Sequence, residues 1–148
     1  VWVDPFVRNS PFKKMMTYSN DLNPDFAGTH NMDALNFLRE IDDQSVDGVL
    51  FDPPYSPRQI QECYAGFGKE VTQQDTQAAF WGNLKKEICR ITRPDALVIS
   101  CCWNSGGCGR INWFDIIEIL IVAHGGWHND TIVTVERKAS SLFCIGER

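Results

Sequence analysis

The stretch Val46 to Phe51 is mostly apolar and stops abruptly at Asp52-Pro53-Pro54. Val49, Leu50 and Phe51 favour a strand. The two prolines end it, because proline fixes φ and has no N–H to give to a ladder. A strand forced to stop at a carboxylate and a stiff turn suits the carboxyl edge of an open α/β sheet, and other parts of the chain repeat the pattern. Trp2-Val3 runs into Asp4-Pro5-Phe6, residues 17–20 run into Asp21-Leu22-Asn23-Pro24, and a weaker strand at 29–32 runs into Asp33. Acidic residues at successive strand ends would line one rim, and in such sheets ligands bind outside the carboxyl ends.

Between the strands the apolar period changes. Ala34, Leu35, Phe37, Leu38 and Ile41 have helical spacing, with Asp33 as N-cap. Residues 56–68 read as a loop with a short helix. Residues 76–91 read as a helix with Ala79, Phe80, Leu84, Ile88 and Ile91 on one face, followed by a turn at 92–95. Residues 96–102 form a continuous apolar strand, the pattern of burial on both faces. A glycine-rich flexible loop is expected at 105–109. A further helix at 114–122, carrying Ile117, Leu120 and Ile121, would be ended by Gly125-Gly126. Residues 131–136 and 142–145 would close the chain as a hairpin across Lys138-Ala139-Ser140. The expected fold is α/β, one domain over 1–148, with a mostly parallel open sheet and a C-terminal antiparallel hairpin.

Composition narrows the function. A hydrophobic fraction of 43% and a charged fraction of 22% over 148 residues describe an ordinary globular domain. No apolar run reaches membrane-spanning length and no signal peptide opens the chain, so a cytoplasmic protein is expected. The six cysteines form no C-x-x-C pair, and His30, His124 and His128 lack ligand spacing. Free thiols and no metal site are therefore expected. The net charge of −5 opposes nucleic-acid binding, which needs clustered cations. Only local patches remain: Lys13-Lys14, Arg58, Lys85-Lys86, Arg90, Arg93 and Arg137-Lys138.

Asp52-Pro53-Pro54-Tyr55 carries the chemistry. An exocyclic amine on an aromatic base is a poor nucleophile, because its lone pair is delocalised into the ring. Two acceptors, the Asp52 carboxylate and the Pro53 carbonyl, can each take one N–H and leave the lone pair pointing outward. The prolines keep those acceptors in place with little reorganisation, and Tyr55 offers a stacking face. Asp52 need not be a strong base, since the nitrogen becomes acidic only after it has gained a substituent.

Taken together, these motifs resemble the amino-methyltransferases of DNA. They are closest to the adenine-N6 methyltransferases with a DPPY motif, in their small phage- or prophage-type members. The matching segments are Asp4-Pro5-Phe6, Asn20-Asp21-Leu22-Asn23-Pro24, Asp33-Ala34-Leu35 and Asp47 through Gln59. The similarity continues through Trp103-Asn104-Ser105, His124-Gly125-Gly126 and residues 131–138, so it spans nearly the whole chain. It implies a Rossmann-like fold, S-adenosylmethionine as cofactor, DNA as partner, and a bacterial or phage-infected cytoplasm, as in restriction–modification. It places Asp4, Pro5 and Phe6 around the methionine end of the cofactor. Asp21 falls on its ribose hydroxyls, Leu22 on its adenine ring, and Asp33 with Ala34 at the adenine amino group. Asp52, Pro53, Pro54 and Tyr55 become the catalytic loop.

The chain departs from the family in three places. Val7-Arg8-Asn9-Ser10-Pro11 stands where many members have glycines. An N-terminal helix over the methionine end and a target-recognition domain are both expected to be missing. Either the region after the DPPY motif, with Arg58, Tyr64 and Phe67, or a homodimer or recognition partner is then expected to help select the target. Two alternatives stay open: an RNA-base or protein-amide methyltransferase, often with Asn in place of Asp52, and a catalytically silent nucleic-acid-binding subunit.

Overall fold

A computed structural model describes residues 1–26, 28–56, 58–61, 78–126 and 129–140. The strands are β1 (Trp2–Asp4), β2 (Tyr18–Ser19), β3 (Val46–Phe51), β4 (Thr92–Cys102), β5 (Phe114–Val122) and β6 (Thr131–Lys138). They form one sheet in the order β2-β1-β3-β4-β6-β5. β1 pairs in parallel with β2 and β3, and β3 with β4. β6 lies antiparallel between β4 and β5. From β1 the chain first goes to one side, to β2, and later returns on the other, to β3. The crevice between the carboxyl ends of β1 and β3 is thus the point where strand order reverses.

Helices α1 (Ala34–Arg39) and α2 (Ala78–Ile91) pack together over one face of the sheet. Asp33 caps α1 as expected, with Oδ1 accepting from the N–H groups of Leu35 and Asn36. Ala34, Phe37 and Leu38 of α1 are buried, as are Phe80, Leu84, Ile88 and Ile91 of α2. Ala79, assigned by its spacing to the same stripe, is exposed instead. Val3, Val49, Phe51 and Val98 meet these helices from the sheet.

The opposite face is thinner. On β4, Ala96, Val98 and Ser100 are buried, but Leu97, Ile99 and Cys101 are only half-buried, so the strand is not enclosed on both sides. The reason lies in the crossovers. Among the described residues, the β1–β2 and β4–β5 connections carry only single 3₁₀ turns, Lys13–Met15 and Arg110–Asn112, and no α-helix. Trp2 partly fills the gap: its ring lies flat on Gly48, where a Cβ would sit 2.5 Å from the indole.

Four expectations need correction. Residues 114–122 are a strand, β5, not a helix. Ile116, Ile117, Ile119 and Ile121 are β-branched and suit extended backbone, and the strand's exposure on both faces removes any burial period. Gly125 and Gly126 form the β5–β6 turn, with φ of +66° and +84° that other residues rarely adopt. The closing hairpin pairs β6 with β5, and Lys138 belongs to β6 rather than to a turn; residues 142–145 lie outside the described residues. Residues 92–95 do not separate helix from strand but form the start of β4. There they bulge, since Val46 faces Thr92 while Gly48 already faces Leu97. The strand expected at 29–32 is a single parallel bridge between Asn20 and His30. No helix among the described residues is long and apolar enough to cross a membrane.

The two kinds of isoleucine give a direct check. Ile88→Ala should cost about 2–5 kcal/mol in denaturant unfolding, whereas Ile121→Ala on β5 should stay within about 0.5 kcal/mol. Equal losses would mean that β5 is buried in solution.

Candidate active site

The carboxyl ends of the parallel strands bring the acidic residues together. Asp4 ends β1, Asp21 follows β2 by two residues, and Asp52 immediately follows β3. Asp4 is 1% exposed, and its Oδ1 accepts from the Phe6 N–H at 2.9 Å. Burial pushes its pKa up to about 6; the Phe6 N–H opposes this, and the like charges of Asp52 and Asp21 add to it. Asp21 is also buried, and both of its oxygens accept backbone N–H groups, from Arg8 at 2.9 Å and Asn23 at 2.8 Å. Asp33 stands one connection further along and uses Oδ1 as the α1 cap.

A residue without an assigned role in the sequence organises this rim. Asn20 is fully buried, and its side chain donates to the carbonyls of Pro5 and Met32 and accepts the Met32 N–H. It therefore joins the segments carrying Asp4, Asp21 and Asp33. Asn31 adds a second tie, donating to the carbonyls of Asp21 and Leu22. Their partners lie 9 to 15 residues away, so only the fold reveals them. Phe6 and Leu22, expected at the cofactor, are half-buried and pack against the core, Phe6 with its ring 6.1 Å from Phe51. Pro5 and Ala34 are buried beneath the rim.

The Asp52-Pro53-Pro54-Tyr55 turn is held from below. The Trp81 indole N–H of α2 donates to the Pro54 carbonyl at 3.0 Å, and the Tyr55 N–H donates to Gln59 Oε1 at 2.6 Å. The Pro53 carbonyl accepts from no donor among the described residues. Tyr55 donates its hydroxyl to Asp52 Oδ1 at 2.5 Å. Asp52 is exposed along one side, yet the protein around it raises its pKa by desolvation, while the Tyr55 hydroxyl and the charge of Arg8 pull it down. The Tyr55 hydroxyl is raised in turn, first by burial, then by its bond to Asp52 and that residue's charge. Beyond this loop, residues 58–61 are helical and Arg58 is exposed.

The loop expected to be flexible at 105–109 is instead clamped. Glu136, fully buried on β6, accepts the N–H groups of Cys108 at 2.7 Å and Gly109 at 2.8 Å. Several expected surface cations are spent on structure. Arg90 binds Glu87, Asp43 and the carbonyls of Leu38 and Ile41; Arg93 binds Asp47; Lys138 donates to the carbonyls of Cys89 and Thr92. A separate cavity of about 230 Å³ opens at the amino ends of the strands, between Val1, Tyr18, His30, Phe37 and Ser45. It contains none of the strand-end carboxylates. Cys89, Cys101, Cys102 and Cys108 are free thiols.

The architecture has known counterparts. A Burkholderia thailandensis 1,6-didemethyltoxoflavin-N1-methyltransferase, solved with 1,6-didemethyltoxoflavin and S-adenosylhomocysteine bound, matches with a TM-score of 0.61 and 12% identity. The match covers 94% of this chain and 71% of that one. TrmN from Thermus thermophilus matches at 0.60 and 14% identity, over 93% of this chain and 43% of its own. A SAM-dependent methyltransferase from Archaeoglobus fulgidus matches at 0.53 and 10% identity, over 93% and 85%. The chain therefore has the Rossmann-like fold of the S-adenosylmethionine-dependent methyltransferases. No family model and no curated protein matches its sequence.

Asp4 offers a pH test. Its folded pKa of about 6 lies above its ordinary 3.8, so the charged carboxylate weakens the fold at pH values above 6. That penalty fades as pH falls through 6 and is gone below 3.8. Asp4→Asn should raise the melting temperature by several degrees at pH 8 and by progressively less at pH 5 and pH 4. An equal shift at all three would mean that the Asp4 charge is not strained.

Proposed function

We propose that this protein is an S-adenosylmethionine-dependent methyltransferase acting on the exocyclic amino group of a nucleic-acid base, N6 of adenine in DNA. The observation that carries the reading is the crowding of Asp4, Asp21 and Asp52 around a rigid Pro-Pro-Tyr turn at the strand switch point. Burial raises the Asp4 pKa, the charges of Asp52 and Asp21 add to it, and a cationic or donor-rich ligand would relieve that strain. S-adenosylmethionine fits that donor set, bearing an ammonium, a sulfonium, a ribose diol and an aromatic amine. When bound it supplies a methyl already activated on positive sulfur, which leaves as a neutral thioether once the methyl moves.

The chain's own residues do the rest. Asp4 would accept from the methionine ammonium group, and Asp21 from the ribose hydroxyls through the lone pairs its backbone partners leave. Asp33 takes the adenine amino group. Asp52 and the Pro53 carbonyl accept the two N–H groups of the target amine and localise its lone pair. The Tyr55 hydroxyl yields its place on Asp52 as the base enters. Alignment and stabilisation of the developing charge give most of the acceleration. The proton shed by the methylated nitrogen passes to Asp52 and then to water.

DNA is the preferred substrate class because Asp52, rather than Asn, opens the loop. Arg90, Arg93 and Lys138 are engaged within the fold and add nothing to a phosphate-binding patch. A single-stranded or partner-delivered target spares the cost of flipping the base out of a duplex. A second copy or a recognition subunit could take part in selecting the target.

Methyl transfer from labelled cofactor to DNA, RNA and protein is the test. Asp52→Ala should reduce transfer to DNA by about a thousandfold or more, with S-adenosylhomocysteine affinity within about threefold of wild type. Asp21→Ala should weaken that affinity about tenfold. Transfer to protein alone, or loss of both functions in Asp52→Ala, would refute the reading.

A further inference from the structure

Trp103 is the first residue beyond β4, and it is 42% exposed. The register of β3 and β4 sets Phe51 opposite Ser100, so Trp103 stands level with the second proline of the catalytic loop. Its ring centroid lies 5.5 Å from that of Tyr55, with the planes inclined at 57°. The stem under the indole is fixed on both sides. Asn104 Nδ2 reaches Cys102 Sγ at 3.6 Å, Asn104 Oδ1 accepts the Gly106 N–H at 2.9 Å, and Glu136 holds Cys108 and Gly109. A large aromatic ring is thus carried on a braced loop while much of its surface faces water. That placement suits an apolar, planar ligand better than it suits core packing.

We infer that Trp103 is the second aromatic wall of the target-base pocket, an inference that rests on the nucleobase reading above. Tyr55 gives the stacking face, and its hydroxyl marks the position of the carboxylate that receives the amine. Trp103 closes the side formed by the end of β4, fixes the tilt of the ring plane and keeps water from the amino group. The two rings touch at an incline and form a corner, so a planar heteroaromatic base lies against that corner, its face on Tyr55 and its edge on Trp103, and not between the rings. Stacking of this kind tolerates any base, so Trp103 sets binding and orientation, and the acceptors of the catalytic loop set which atom reacts.

The experiment compares wild type, Trp103→Ala and Trp103→Phe as purified full chains. S-adenosylhomocysteine affinity is measured by calorimetry, and KM and kcat are measured with mixed-sequence single-stranded DNA and labelled cofactor. Trp103→Ala should keep cofactor affinity within about twofold and lower kcat/KM for DNA by about ten- to a hundredfold, mainly through KM. Trp103→Phe should recover most of that loss. An alanine variant with unchanged KM, in a wild type that does methylate DNA, would overturn the wall and leave the nucleobase reading standing. Parallel loss of cofactor affinity in the alanine variant, unrescued by Phe, would make Trp103 structural and overturn it as well. A wild type that methylates only a protein or a small-molecule amine would overturn both.

Discussion

Asp4 holds a carboxylate where water scarcely reaches, with Asp21 on one side and Asp52 on the other. Burying a charge beside like charges works against folding. The parallel pairing of β1 with β2 and β3 imposes the arrangement. Once those three strands run the same way, every residue just past their carboxyl ends falls on one rim. The strain is then located at the site where a positive, donor-rich ligand would relieve it.

Small polar ties keep the rim from relaxing. Asn20 fixes three loops through one buried amide, and Trp81 pins the Asp52-Pro53-Pro54-Tyr55 turn from the helix layer. Glu136 does the same for the loop after β4. Each tie satisfies backbone groups that a short, irregular connection would otherwise leave unpaired. This matters most where the β1–β2 and β4–β5 crossovers lack a helix to hold the loops by packing.

The rim was legible in the sequence because strand ends announce themselves. An apolar run halted by Asp52-Pro53-Pro54 fits little besides the end of a buried strand, and Asp33 followed by Ala34-Leu35 reads directly as a capped helix. The ties were not legible, since Asn20, Trp81 and Glu136 gain meaning only from partners brought close by folding. Trp103 could have been noticed as an aromatic residue just past a predicted strand, the same position that singled out Asp52. The misreading of residues 114–122 has a different cause. Ile117, Leu120 and Ile121 fit a helical spacing by chance, while the strand they form is bare on both faces and so leaves no alternation to detect. The charge pattern misled as well, because Arg90, Arg93 and Lys138 look like surface cations until their carboxylate and carbonyl partners are seen.

A crystal structure of the protein with S-adenosylhomocysteine tests the central claim most directly. The account predicts the ligand in the crevice between β1 and β3, its ribose hydroxyls on Asp21 and its sulfur turned toward Asp52. A ligand seated in the cavity beside Tyr18 and His30, or a crevice that stays empty at saturating ligand, would contradict it.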